Sequence, residues 1–160
     1  MKLNVILIIA ASMVAATCQD KTSDTSLTSP DGEINVSFSL SQEGIPHYLV
    51  SAYGQAVINS SELGLEAAEA ELAKGFTIKE IHRSSKDEQW EQPWGENKVM
   101  RDNHREMAVE MSNGQGVKLT LRFKAFDDGV GYRYEYDATA VTDSLTIIGD
   151  HTYFNFAQDG

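Results

Sequence analysis

One cysteine, three prolines and 13 basic residues in 160 positions are what this chain has little of, and each scarcity removes an option. Cys18 has no second cysteine for an internal disulfide, and no CxxC or C…H spacing outlines a zinc site. With 24 acidic residues against those 13, the formal charge of -11 argues against nucleic acid, whose phosphates want Lys and Arg on one face. The apolar stretch near the N-terminus, Leu3–Ile9 with only Asn4 polar, is far short of the roughly 20 residues of a spanning helix. The chain is also too short for a (β/α)₈ barrel, which takes about 250 residues. What is present is two Trp, six Tyr and six Phe among many β-branched residues, enough to argue for one acidic domain with a real core rather than disorder.

The first stretch reads as an address. Lys2 is followed by the apolar run, and the small residues Ala15 and Ala16 precede Cys18, as in a secretion signal over residues 1–18. Val14-Ala15-Ala16-Thr17-Cys18 is close to a lipoprotein signal, which would acylate Cys18. It departs in lacking Leu at the third place before the cysteine and in having Thr17 at the last. Ordinary cleavage after Ala16 is the other reading, but it leaves a lone thiol in an oxidising compartment, so the balance favours lipidation of Cys18. Either route exports the chain, to the periplasm or as an outer-membrane-anchored lipoprotein. The membrane enters only through that signal or anchor. Loss of Lys2 leaves a charge of -12, and residues 19–29 read as a polar linker.

From residue 30 the pattern has period two. Ile34, Val36, Phe38 and Leu40 alternate with polar residues, and Tyr48, Val50 and Ala52 do so again after Gly44 and Pro46. With a turn at Gly54-Gln55, residues 33–58 read as a meander. Phe76, Ile78 and Glu80 extend a strand up to the polar stretch 83–88. Met107, Val109 and Met111 form another, before an Asn113-Gly114 turn. Val117, Leu119, Leu121, Phe123 and Ala125 make the strongest strand. Asp127-Asp128-Gly129, with Gly129 at positive φ, turns it back into Val130, Tyr132, Tyr134 and Tyr136. Further strands are expected around Leu145–Ile147 and Tyr153–Phe156. The expected fold is an all-β antiparallel β-sandwich. The good helix formers of Glu66–Lys74 predict one short helical insertion in it, a single turn or else a loop, since nine residues do not hold a helix alone.

The densest chemistry lies in WEQPWGENK, Trp90–Lys98, with Arg101, Asn103, His104 and Glu106 after it. Indole faces beside carboxylates suit sugars, because C–H groups stack on the ring while Glu or Asp accept from hydroxyls. Trp90, Glu91, Trp94, Glu96, Arg101 and Asn103 are therefore the substrate or domain-interface candidates. Large aromatics are more often buried, so core packing is the stronger expectation for at least one tryptophan. Glu88, Glu91 and Glu96 invite a glycosidase pair. Loop spacing sets no carboxyl separation, and solvated charge explains them better. His47, His82, His104 and His151 show no HExxH or i, i+4 arrangement, and no GxSxG, P-loop or GxGxxG is present. No catalytic residue and no metal ligand is assigned.

Two long motifs, WEQPWGENK–x2–R–x–N–H–x–E and LRFKAFDDGVGYRYEY, together with SPDGEINVSFSL and NSSELGLE, resemble the N-terminal domain of glycoside hydrolase family 97. The likeness runs from about Ser29 to the last residue. That family contains exported bacterial α-glucosidases and α-galactosidases. The resemblance implies a β-super-sandwich over residues 30–160, incomplete at its C-terminal end, followed in the parent enzyme by a catalytic (β/α)₈ barrel. The barrel would carry the acid, the base or nucleophile and most calcium ligands. Calcium is thus expected in the parent and not in this fragment, which alone is expected to be inactive. The partners implied are an α-linked oligosaccharide or glycoside and the chain's own downstream barrel. The alternative is a free-standing surface carbohydrate-binding or scaffold sandwich with no catalysis.

Overall fold

The computed structural model describes residues 24–136 and 145–158, so the signal segment, Cys18 and Gly160 lie outside the described residues. Two four-stranded antiparallel sheets face each other. One has the order β1 (Ser26–Thr28), β2 (Ile34–Leu40), β3 (Pro46–Ala52) and β4 (Gln55–Glu62). The other runs β10 (Gly129–Tyr136), β9 (Lys118–Phe126), β8 (Val99–Asn113) and β7 (Phe76–Glu91). A small third sheet joins β11 (Ile147–Asp150), β5 (Leu65–Ala67) and β6 (Glu71–Leu72). No helix is present among the described residues.

The alternation read from the sequence is what fills the core. Ile34, Val36 and Phe38 of β2 and Tyr48 and Val50 of β3 point inward. They meet Leu119, Leu121, Phe123 and Ala125 of β9 and Met107, Val109 and Met111 of β8. Phe38 and Phe123 meet across the two sheets at 6.0 Å between ring centroids, and Tyr48 meets Tyr132 at 5.4 Å. Burying such side chains stabilises by roughly 1.5–3 kcal/mol each, which is how period-two patterning becomes a two-layer fold.

Several local expectations change. Ser26–Thr28, expected in the polar linker, is β1, because Leu27 is buried in the core and pairs across to Val36. The helical insertion over Glu66–Lys74 is absent. Leu65 and Glu66 pair instead with Leu72 and Glu71, the Ala68 N–H donates to Thr146 O, and Glu69 accepts from both the N–H and the hydroxyl of Thr146. Nine residues of good propensity do not hold a helix alone when sheet pairing competes for the same backbone groups. The β3–β4 hairpin turns at Tyr53-Gly54, one residue earlier than expected, with both at positive φ. At Asp127-Asp128 no residue has positive φ, so the freedom of Gly129 goes unused. Asp127 instead accepts the Asp31 N–H at 2.9 Å and ties the two sheets at that end.

The expected strand 76–80 is the start of a 16-residue strand that carries on through the polar stretch to Glu91. A bulge at Lys79 changes its parity: Ile78 pairs with Met111, but Glu80 pairs with Glu110. Phe76 and Ile78 face the core before the bulge and Ile81 after it, so Glu80 is turned outward. Beyond Asp150 the chain runs beside β4: the Asn59 N–H donates to Asn155 O, that of Ala157 to Val57 O, and Ile58 bridges Phe156.

Candidate functional site

Strand β9 pairs with β8 only as far as Arg105, opposite Ala125. Past that point residues 86–91 and 99–104 pair with each other and with nothing else in the sheet, so β7 and β8 leave the sandwich as a two-stranded ribbon. Its loop closes through the Gln92 N–H to Lys98 O, at 3.0 Å, and the Gln92 side-chain amide to Asn97 O, at 3.1 Å. Gly95, at φ 122°, supplies a backbone conformation that L side chains rarely adopt.

The ribbon gathers the site candidates but divides them between two faces, because directly opposed residues share a face and neighbours alternate. Trp90 lies opposite Met100, in line with the Glu88–Asp102 and Lys86–His104 pairs. Glu91, Arg101 and Asn103 are on the other face, opposite Val99, Gln89 and Asp87. Trp94 and Glu96 are in the loop. The expectation that at least one tryptophan fills the core is overturned: Trp90 is 48% exposed and Trp94 85%. Ring and carboxylates sit on an arm that no second layer covers among the described residues, so the usual burial of indole has nothing to act against.

Charge holds the ribbon together. Arg101 donates two hydrogen bonds of 2.8 Å to the carboxylate of Asp87, which keeps that carboxyl below its usual range and Arg101 above its own. Glu91 pairs with Lys98 at 3.4 Å, and Glu88 with Lys86 at 3.0 Å. These are solvated ion pairs rather than a pair of catalytic carboxyls.

At the root of the ribbon lies a cluster that sequence reasoning passed over. His104 is buried, its ring 5.1 Å from that of Phe126 and its Nδ1 2.5 Å from Asp102 Oδ1. Lys86 Nζ stands 3.2 Å from the other Asp102 oxygen. Burial works to raise the Asp102 carboxyl, but the contacts with His104 and Lys86 outweigh it and hold the group below its usual range. The signal was available in principle, since residues 102 and 104 share a strand face, but only the register puts Lys86 across from His104. Nearby, on the outer face of the sheet, Arg122 bridges Glu106 at 2.5 Å and Glu135 at 2.6 Å. Its hydrogen bonds bring Glu135 down to about 2.

Calcium, which the resemblance assigns to the parent enzyme, takes six to eight oxygens. Among the described residues, the one cluster of three His, Cys, Asp or Glu donors, Glu80, His82 and Glu110, includes an imidazole and so is not an all-oxygen set.

Comparison with known proteins agrees with this architecture. The family model described as "Glycosyl-hydrolase 97 N-terminal" matches residues 27–160. A glycoside hydrolase family 97 enzyme from Pseudoalteromonas sp. strain K8, solved as a variant with panose and also with acarbose, is 37% identical over 83% of this chain, with a TM-score of 0.77. A beta-arabinopyranosidase, 23% identical over 83% of this chain at a TM-score of 0.75, shares the fold. This chain spans only about one fifth of the length of these enzymes, 20% and 21%. A sandwich of this topology, matched by the family model through to its last residue, belongs to the N-terminal domain family of glycoside hydrolase family 97.

Proposed function

We propose that this domain serves an exported α-glycosidase of the α-glucosidase or α-galactosidase type, whose catalytic barrel lies beyond residue 160, and that the ribbon tip reaches the substrate side of that barrel. The observation that carries the reading is the exposure of Trp90 and Trp94 at the end of an arm that projects past its own sheet. Indole surface left exposed to water contributes little within this domain, and it gains when a sugar ring or a neighbouring domain covers it. The panose and acarbose complexes of the Pseudoalteromonas enzyme support an α-linked glycoside as the substrate class.

The division of labour follows from chemistry. Glycoside cleavage takes two positioned carboxyls on opposite sides of the scissile bond. Here Asp87, Glu88 and Glu91 of the ribbon are exposed and ion-paired, so this domain contributes binding and shape, and the barrel contributes acid, base and calcium. Export, by signal cleavage or by acylation of Cys18, belongs to the same proposal.

The test is kinetic and uses the full-length enzyme. Trp90→Ala and Trp94→Ala should raise KM for an α-linked oligosaccharide several-fold, with a smaller change for an aryl glycoside that does not reach the arm. Unchanged KM in both variants, or a parent gene with no catalytic domain, overturns the reading.

A further inference from the structure

We propose that Glu80, His82 and Glu110 form a surface site for one divalent transition-metal ion of the zinc class, on the outer face of the β7–β8 pair and away from the ribbon tip. The bulge at Lys79 builds it. By shifting the register one residue, it turns Glu80 and His82 to the outer face and sets Glu80 directly opposite Glu110. Two carboxylates facing each other across a strand pair repel. The described residues place no lysine or arginine within ion-pair distance of either, and their one partner at that range is the His82 ring.

Donor spacing and donor type agree. His82 Nε2 is 3.1 Å from Glu110 Oε1 and 3.6 Å from Glu80 Oε2, and one ligand atom from each residue lies within 4.8 Å of the others. A tetrahedral ion with bonds of about 2.0–2.2 Å holds its donors roughly 3.3–3.6 Å apart, so small rotations of the side chains complete the three contacts and water takes the fourth. An imidazole with two carboxylates selects zinc-like ions over calcium, which wants oxygen alone. Helical spacing, i and i+4, does not bring these donors together. On a strand the repeat is i, i+2, with the third donor supplied across the ladder. Bound metal would tie β7 to β8 where the bulge interrupts their pairing.

The probe is zinc chloride titrated into the full chain, read by calorimetry and by the ring resonances of His82. The expected result is one saturable site, with the His82 signals moving to completion at one equivalent. Affinity should fall at least tenfold in His82→Asn and in Glu110→Gln, and stay unchanged in His47→Asn. Cys18 is common to all samples, so the difference between variants carries the result. The three positions are exposed, and metal-free melting of each variant within a few degrees of the parent shows that the fold is kept. Absence of a saturable site, affinity unchanged in His82→Asn and Glu110→Gln, or equal competition by calcium overturns the proposal.

Discussion

The sandwich body and the β7–β8 ribbon are built from the same two strands, yet they are held by different forces. Inside the body, β8 contributes Met107, Val109 and Met111 to a core that excludes water, and apolar burial dominates. Six residues further out the same strand has neighbours on one edge only, both faces meet solvent, and ion pairs such as Arg101–Asp87 do the ordering. Exposed pairs contribute about 0–1 kcal/mol each, against several for a buried aromatic ring. The body therefore tolerates little change in shape, whereas the ribbon tolerates much and is the part of the molecule suited to meeting something else.

The largest effect should come from the centre of the body. Phe123→Ala removes a fully buried ring that packs against Phe38 and Tyr132, and should cost about 3–5 kcal/mol in a denaturant melt. A loss under 1 kcal/mol would mean that the two sheets are not packed through that ring. Gly44→Ala follows at about 2–4 kcal/mol, since it asks a Cβ to adopt φ +72° within 2.4 Å of the backbone nitrogen of Phe76. Near-neutral behaviour there would break the link between the β2–β3 turn and the start of β7.

Between the extremes lies the charged outer face. Glu135 is held low, at about 2, chiefly by hydrogen bonds from Arg122 and then from Arg133. Because the folded value is depressed from 4.5, its contribution is present above that pH and is lost as pH falls through the range toward 2. Glu135→Gln should thus cost about 0.5–1 kcal/mol near pH 6, a gap that narrows below pH 4.5 and closes by about pH 2. A gap that stays constant with pH would assign the loss to shape rather than charge.

The smallest effects belong to the ribbon. Trp94→Ala should change stability by less than about 0.5 kcal/mol, as surface substitutions do, and Trp90→Ala by about 1 kcal/mol. A loss above 2 kcal/mol at Trp94 would place its ring in a packed environment and erase the contrast between arm and body.

Legibility followed burial. The β2–β3–β4 meander and the β9–β10 hairpin could be read from alternation because one face of each is sealed and the other is wet. The ribbon could not, since Arg83–Glu91 is exposed on both faces and hydrophobic periodicity has nothing to report there. Of the site candidates, the sequence located Trp90, Trp94 and Arg101 in one segment, but not that Trp90 and Arg101 point opposite ways. The Asp102–His104–Lys86 contact and the Glu80–His82–Glu110 cluster were invisible for a related reason: each takes residues from two strands, and pairing register is not written in either one alone.

What this sequence determined by itself is therefore the class of fold, the identity of its inner faces and its family, all of which rest on local patterns of apolar residues and motifs. What only the tertiary structure decided is where those patterns stop. The one-residue bulge at Lys79 sets which of Glu80 and Ile81 meets the core. The end of β9 at Phe126 sets where a sheet becomes an arm, and that decides whether Trp90 and Trp94 are core or surface. Register and strand length are settled by contacts between segments distant in the chain, and a side chain's burial is a property of what lies across from it.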